Sequence, residues 1–342
     1  DTGCFSDPGA HGSASCHDHG RRGSSPVKAP SLLQFAREDP AATRAEIYAG
    51  FSASPAVVSP KYFYDALGSR LFSAITELPE YYPTRTEARI FSRFIGEMAA
   101  ELVPVTTLVD LGAGNCEKAA SLFAALQVQR YVAVDISASY LRDSLESLQR
   151  KHPAMDMLGI GLDFSRTLTL PAEVGEGPRT MFYPGSSIGN FAPAEALAFL
   201  RQVHRASAGG SLLIGVDLVK PTDILERAYD DPLGVTAAFN RNLLRHLNAL
   251  VGTDFAIDDW RHVAFFNVRE SRIEMHLEAV KATVVHWADG ERAFVAGERL
   301  HTENSYKWRS EDFADLLQAA GFRRVASWTD ENGWFAVFRA FS

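Results

Sequence analysis

Asp110-Leu111-Gly112-Ala113-Gly114 places a carboxylate and two glycines in the turn after an apolar run, and a second carboxylate, Asp135, ends the next apolar run. Glycines at such a turn let the backbone reverse sharply and approach a ligand closely. A carboxylate closing the following strand can accept both hydroxyls of a ribose. Between the two acids, Ala119, Leu122, Phe123 and Leu126 recur at roughly helical spacing, so one helix is expected to pack on the sheet and turn its N-terminus toward the ligand. Two ligand classes fit such a βαβ unit, a dinucleotide or another adenosyl compound. A dinucleotide fingerprint needs a third glycine beyond Gly114, and Glu117 and Lys118 occupy that region instead. Pyrophosphate would meet the wrong charge at Glu117.

The elements that must hold this unit read as an α/β fold. Apolar segments at 107–111, 131–136, 158–164, 180–184 and 211–218 alternate with helical or turn stretches, which gives a parallel sheet covered on both faces. Ahead of them the pattern is helical from Ser31 to about Glu101, broken at Leu78-Pro79-Glu80-Tyr81-Tyr82-Pro83, with a long helix expected over Thr86 to Leu102. At the C-terminus Ser310 is placed to cap a helix running to Ala320, and Asp330-Glu331-Asn332-Gly333 signals a hairpin between two strands. The stretch from about 220 to 306 departs from this plan. Ser271 to Ala279 alternates polar and apolar residues as a half-buried strand does, and Thr283 to Trp287 and Glu298 to Trp308 continue as strands. The expected division is a flexible leader over 1–30, a substrate-binding lobe from 31–85 and 220–306, and a ligand-binding domain from 86–219 and 307–342.

Composition narrows the classes of function. With 34 Lys and Arg against 42 Asp and Glu, the net charge of -8 argues against nucleic acid as main partner. No apolar stretch is long enough to span a bilayer, so no membrane partner is expected. Three cysteines, Cys4, Cys16 and Cys116, are too few and scattered for a disulfide framework, which suits a reducing cytoplasm; a monomer is expected. Cys116, beside a helix N-terminus, stands where a thiol pKa can fall, but no histidine follows it in a catalytic arrangement. Cys16-His17-Asp18-His19 has metal-binding side chains without a core to orient them, and no metal is expected.

Asp110 ahead of the glycine pair resembles the first motif of class I S-adenosylmethionine-dependent methyltransferases, whose Rossmann-like sheet commonly finishes in an antiparallel hairpin. Longer segments carry a more specific resemblance. Phe63-Tyr64-Asp65 through Leu67-Gly68-Ser69-Arg70-Leu71-Phe72, Leu78-Pro79-Glu80-Tyr81-Tyr82-Pro83-Thr84-Arg85, Pro184-Gly185-Ser186-Ser187-Ile188-Gly189-Asn190-Phe191, and Ala228-Tyr229-Asp230-Asp231 with Phe239-Asn240-Arg241-Asn242 are similar to the histidine Nα-methyltransferases of ergothioneine biosynthesis. The resemblance implies a class I methyltransferase sheet with a second substrate-binding lobe built from N-terminal helices and a late insert. It also implies S-adenosylmethionine as methyl donor, and conversion of L-histidine to its trimethylated betaine, hercynine.

Residue by residue, the resemblance gives Tyr64, Gly112, Gly114, Lys118, Asp135, Asp163 and Phe164 to the cofactor, and Tyr81, Asn190, Tyr229, Met275, Glu303 and Ser305 to the amino acid. Tyr81 and Asn190 fall nearest the amine and are the expected catalytic pair. On a strand Glu303 and Ser305 point to one face while Thr302 and Asn304 face away. A carboxylate and a hydroxyl can satisfy both ring nitrogens of an imidazole. An indole offers one donor and would leave a partner unpaired, at a cost of roughly 1 to 3 kcal/mol. A family member acting on another amine, such as a tryptophan derivative, is the alternative. Taken without the resemblance, the Glu303 and Ser305 pair reads as a solvated strand face, Met275 and Phe164 as core, and Lys118 as a first-turn surface residue. A non-enzymatic adenosyl-binding protein and a dinucleotide oxidoreductase are more remote readings.

Overall fold

The computed structural model describes residues 28–342 apart from 36–38, 103 and 166. The Cys16-His17-Asp18-His19 cluster and nearly all of the expected leader lie outside the described residues. In chain order the strands are β1 (Ser31–Gln34), β2 (Ala56–Val57), β3 (Thr107–Leu111), β4 (Arg130–Asp135), β5 (Asp156–Gly161), β6 (Thr180–Tyr183), β7 (Ser211–Asp217), β8 (Trp260–Asn267), β9 (Arg272–Ala279), β10 (Thr283–Trp287), β11 (Gly290–Phe294), β12 (Arg299–Tyr306), β13 (Arg323–Thr329) and β14 (Phe335–Phe341).

Eight of these form one sheet in the order β1-β5-β4-β3-β6-β7-β14-β13. The first six run parallel, and β14 and β13 close the sheet as the antiparallel hairpin expected around Asp330. Strand order reverses between β3 and β6, which opens a crevice at the carboxyl ends of the strands. Both faces are covered by apolar side chains, with Val109, Val132, Ile160 and Phe199 in one core and Leu108, Tyr131, Leu141 and Phe182 in the other. That double burial explains why β3, β4 and β7 read as apolar runs instead of alternating. The result is a class I methyltransferase-type, Rossmann-like α/β sheet.

A second lobe sits over this crevice. Strands β2, β12, β9 and β8 form a sheet in that order, with β2 parallel to β12 and the remaining pairs antiparallel. Phe51 and Phe63 from the N-terminal helices share one core with Phe239, Leu244, Trp260 and Leu277 from the insert, so segments far apart in sequence fold as one body. The chain leaves the main sheet after Asp217 and comes back at Trp308, and the two crossing strands pair there through Leu218 and Trp308.

Several local expectations are corrected. Ser31–Gln34 is not helical but a parallel edge strand on β5, where Leu32 occupies the space left by the missing side chain of Gly159. The long helix spans Tyr82–Ala99, earlier than expected, because Pro83 suits a first turn whose N–H groups lack intrahelical partners. The single helix expected after the glycine turn is two short ones, Glu117–Ala120 and Phe123–Leu126, with Ser121 donating its hydroxyl to the Lys118 carbonyl at the break. Ser310 opens the last helix without capping it; Arg309 holds the cap position.

Gly215 in β7 shows how tightly the two faces are joined. A Cβ there would overlap Glu87 Oε1, an oxygen of a buried carboxylate on the Tyr82–Ala99 helix. Glu87 cannot swing aside without releasing the Gly185 N–H that it accepts at 2.7 Å. Gly215→Ala is expected to lower stability by roughly 1 to 3 kcal/mol, the usual cost of overpacking, visible as a lower urea midpoint at unchanged slope.

Candidate active site

The cofactor-side residues meet at the carboxyl ends of β3, β4 and β5. Gly112 and Gly114 take left-handed φ values of 73° and 53°, which the turn requires and a side chain would resist. Asp135 locks this turn: one carboxylate oxygen accepts the Gly114 N–H and the other the Ser137 N–H, each at 2.9 Å. Burial raises the Asp135 pKa, and the backbone donors restrain the rise. Phe164 stands beside the turn, its ring within van der Waals reach of a Cβ at Gly112 and set edge-on to Tyr183. Asp163 accepts the Ser165 N–H at 3.2 Å. Asp110, beneath the turn, is buried and accepts the Tyr131 hydroxyl at 2.7 Å; burial pushes its carboxyl up to about 7.

Lys118 is not an unpaired surface residue. Its ammonium donates to Glu87 Oε2 at 2.7 Å, while Glu87 Oε1 holds Gly185. The buried Glu87 carboxylate thus aims the lysine at the crevice and joins the glycine turn to the loop after β6. Cys116 is buried as well, and burial pushes its thiol up to about 12, the reverse of the activation its helix-terminal position suggested.

Tyr64, Tyr81, Asn190, Tyr229, Met275, Glu303 and Ser305 line a single cavity between the sheet and the second lobe, together with Phe72, Ser186, Asp217 and Phe239. The cavity adjoins the cofactor-side group at Gly185, which lines it and approaches Lys118. Tyr64 lies between the two groups, close enough to Glu303 and Asp135 for both charges to add to the rise in its pKa that burial causes. Tyr64 with Phe72, Phe72 with Tyr81 and Tyr81 with Tyr229 pack edge-on with ring centroids 5.8, 6.2 and 6.3 Å apart, giving an aromatic wall.

The family-like segments hold these side chains from behind. Asp65 accepts the Gly68 N–H at 2.6 Å and the Asn242 amide at 2.8 Å, fixing the segment that presents Tyr64. Arg85 donates to the Leu78 and Tyr81 carbonyls at 2.8 and 3.2 Å and sets the turn that carries Tyr81. Asp231, just after Tyr229, accepts the Val235 and Thr236 N–H groups at the start of the Val235–Val251 helix. Asn190 closes the short 3-10 turn Ser187–Asn190, and its amide hydrogen bond to Glu303 lowers the Glu303 pKa in part.

On β12 the two-residue period places Glu303 and Ser305 in the cavity as expected. A register shift lies between His301 and Glu303, where the buried Thr302 donates its hydroxyl to the Met275 carbonyl. Asn304 turns to a second, adjoining cavity, where its amide oxygen accepts from His301 Nε2 at 2.9 Å. Sequence reasoning missed Lys307, Asp217, Lys220 and Tyr82, which form a buried cluster at the foot of the cavity. Asp217 takes Lys220 at 2.6 Å, Lys307 at 2.7 Å and the Tyr82 hydroxyl at 2.7 Å. Burial works against the Asp217 charge, yet Lys307 and Lys220 outweigh it and hold the carboxyl below its ordinary range. Burial likewise lowers Lys220 to about 8. The signal was present in β12, because the period that groups Glu303 with Ser305 continues to Lys307. Among the described residues no group of acids, histidines and cysteines could hold a metal, and no helix is long and apolar enough to cross a membrane.

Residues 43–341 match the family of histidine-specific, S-adenosylmethionine-dependent methyltransferases. The chain belongs to this family. The methyltransferase is 42% identical over 316 residues to the histidine N-alpha-methyltransferase of Mycolicibacterium smegmatis, covering 90% of this chain and 98% of that protein. It is 41% identical over 304 residues to the protein of that name from Mycobacterium tuberculosis, covering 86% and 94%. It is also 31% identical over 279 residues to ergothioneine biosynthesis protein 1 of Neurospora crassa, covering 79% of this chain and 31% of that longer protein.

The family depends on S-adenosylmethionine, and the glycine turn offers side chains whose chemistry fits that donor, a carboxylate at Asp135 able to accept hydroxyl groups and an aromatic ring at Phe164. Removing the Asp135 carboxylate in Asp135→Ala is expected to weaken S-adenosylmethionine binding by roughly 1.5 to 3 kcal/mol, the scale of charge-assisted hydrogen bonds, measured by calorimetry on the folded variant.

Glu303 yields a pH-dependent outcome. Burial pushes its carboxyl from the ordinary 4.5 up to about 7, with Lys307 and Asn190 offsetting only part. A carboxyl raised on folding supports the fold while protonated, so that contribution is present below its unfolded pKa and lost as pH rises through the folded value. Glu303→Gln is therefore expected to melt a few degrees above the parent at about pH 8 and nearly level with it at about pH 4.5, read by calorimetric Tm of the ligand-free protein.

Proposed function

We propose that this methyltransferase converts L-histidine to hercynine by three successive methylations of the α-amine, the opening step of ergothioneine biosynthesis, and that its cavity residues divide the substrate among them. The observation that carries the reading is the pairing of Glu303, a buried acceptor, with the Ser305 hydroxyl on one strand face of an aromatic cavity that adjoins the glycine turn. An imidazole can meet both groups, whereas an indole leaves one of them unpaired. Asn190 falls to the substrate carboxylate, Tyr81 and Asn190 to the amine, Met275 to the wall beside the ring, and Tyr229, whose hydroxyl donates to Ser305 Oγ at 2.8 Å, to the ring through Ser305. The same reading takes the protein as a cytoplasmic monomer; the three scattered cysteines suit a reducing compartment.

S-adenosylmethionine supplies a methyl group made electrophilic by its sulfonium. What the chain must add is positioning, because an in-line displacement needs the amine lone pair held near attack distance and free of its extra proton. Burial keeps the Tyr81 hydroxyl protonated far above its ordinary pKa, so its oxygen can accept an amine N–H and orient the lone pair without acting as a phenolate. Tyr64, Tyr81 and Tyr229 line the cavity, and aromatic faces attract a growing, positively charged methylammonium, an environment that tolerates added methyl groups. After the third methyl no N–H is left for Tyr81 or Asn190 to receive, which favours release.

Mass spectrometry of products from a panel of amino acids incubated with S-adenosylmethionine tests the activity, with trimethylated histidine as the expected product. Glu303→Ala is expected to cut histidine methylation by roughly 100-fold or more at unchanged cofactor affinity, since a charge-assisted contact remote from the sulfonium is lost, and to raise tryptophan relative to histidine in competition. An unchanged histidine preference in that variant would place the imidazole elsewhere.

A further inference from the structure

Lys307 is fully buried at the foot of the substrate cavity, and its three N–H bonds have three acceptors. These are Asp217 Oδ2 at 2.7 Å, Ser305 Oγ at 2.8 Å and the Tyr229 oxygen at 3.0 Å. The Tyr229 hydroxyl in turn donates to Ser305 Oγ at 2.8 Å. An ammonium group only donates, and a serine oxygen has two lone pairs and one hydrogen. Ser305 Oγ therefore receives two hydrogens, both lone pairs are engaged, and its own hydrogen is left over. Since Ser305 lines the cavity, that hydrogen is available to the ligand.

We infer that Lys307 is a positioning residue that makes Ser305 an obligate donor, so that the cavity selects the neutral form of the substrate ring, with a bare nitrogen toward Ser305 and an N–H toward Glu303. This inference rests on the histidine reading above. An imidazolium carries N–H on both nitrogens and would set one of them against the Ser305 O–H. Protonated Glu303 with a neutral ring is no better, because Glu303 would then take the bare nitrogen and turn the ring N–H to Ser305. Lys307 acts from outside the contact surface, through the two hydroxyls. Asp217 is what keeps it there and charged: burial opposes the ammonium, and Asp217 and Tyr229 more than compensate.

A kinetic double-mutant cycle tests the coupling. Lys307→Met, Ser305→Ala and the double variant are assayed with L-histidine, and S-adenosylmethionine affinity by calorimetry reports that each is folded. Lys307→Met leaves Asp217 paired with Lys220 and Tyr82, so it strands no charge. Each single change is expected to raise KM for histidine about 10- to 100-fold with kcat within about threefold, and the double variant to be no worse than about threefold beyond the poorer single, because residues acting through one contact are not additive. Multiplying effects, or an unchanged KM in Lys307→Met, overturn the inference.

A second measurement on the parent enzyme does not depend on any variant folding. Histidine is compared with β-(1,2,4-triazol-3-yl)-L-alanine, whose weakly basic ring stays neutral in mild acid. Between about pH 8 and pH 5.5 the KM for histidine should rise about tenfold more than that for the triazole, the fraction by which an imidazole of pKa near 6.5 is lost to its cation. Titration of Glu303, Asp217, Lys220, Tyr64, Tyr81, Tyr82 or Tyr229, and of the shared α-amine, affects both substrates alike and cancels. A parallel rise for the two substrates overturns ring selection. No methylation of histidine by the parent enzyme at about pH 8 would instead sink the reading of function on which the inference stands.

Discussion

The Asp217 carboxylate is the point on which the two lobes and the cavity between them depend. It ends β7, the last parallel strand of the main sheet, and receives Tyr82 from the start of the long helix, Lys220 from the chain leaving the sheet and Lys307 from the chain returning to it. The Asp217 N–H donates to Ser186 in the loop after β6 at 2.8 Å. Three segments distant in sequence, at Tyr82, Ser186 and Lys307, are thereby fixed to one residue. Burying three charges together costs desolvation that an apolar cluster would avoid, and such a cluster is weak as a source of stability. What it supplies is direction: each donor is held at a set angle, and through Lys307 that order passes to Tyr229 and Ser305.

A second buried carboxylate makes the corresponding connection on the cofactor side. Glu87 grips the loop after β6 through Gly185 and orients Lys118 at the edge of the glycine turn, while Asp135 closes that turn through the Gly114 N–H. The loop after β6 therefore has contact with both halves of the site. Gly185 belongs to the cofactor side, Ser186 to the Asp217 cluster, and Asn190 to Glu303. A methyl donor and an amine must be aligned within a few tenths of an ångström for in-line transfer, and a short loop tied at several points is a rigid way to relate them.

Stability and recognition are opposed at Glu303. Its burial beside aromatic rings raises its pKa to about 7, so in the ligand-free protein the ionised form is poorly accommodated. A ligand that brings an N–H to that carboxylate restores what burial removed. Under the histidine reading proposed above, a ring with the right hydrogen-bonding pattern would complete the site, and a cavity with apolar walls would so distinguish a polar heterocycle from a larger hydrophobic one.

Much of this was legible in the sequence because it depends on spacing along the chain. The apolar runs of β3, β4 and β7, the glycine pair followed by an acid, and the alternation joining Glu303 with Ser305 are all set by residues within a few positions of each other, where strand and turn geometry leaves little choice. Other features had no local trace. Ser31–Gln34 is too short to show a period, and only the bare face of Gly159 on β5 makes it a strand. Cys116 stands at a helix start that could have activated it, and burial in the core inactivates it instead. Lys307 lies in phase with Glu303 and Ser305, which line the cavity, but nothing near it in sequence announces the carboxylate that allows a lysine to be buried there. Asp217 lies ninety residues earlier, and only the return of the chain to the sheet after the second lobe brings the two within 2.7 Å. Periodicity fixed which face each side chain takes; long-range closure of the two lobes decided which charges met and therefore which hydrogen the cavity offers.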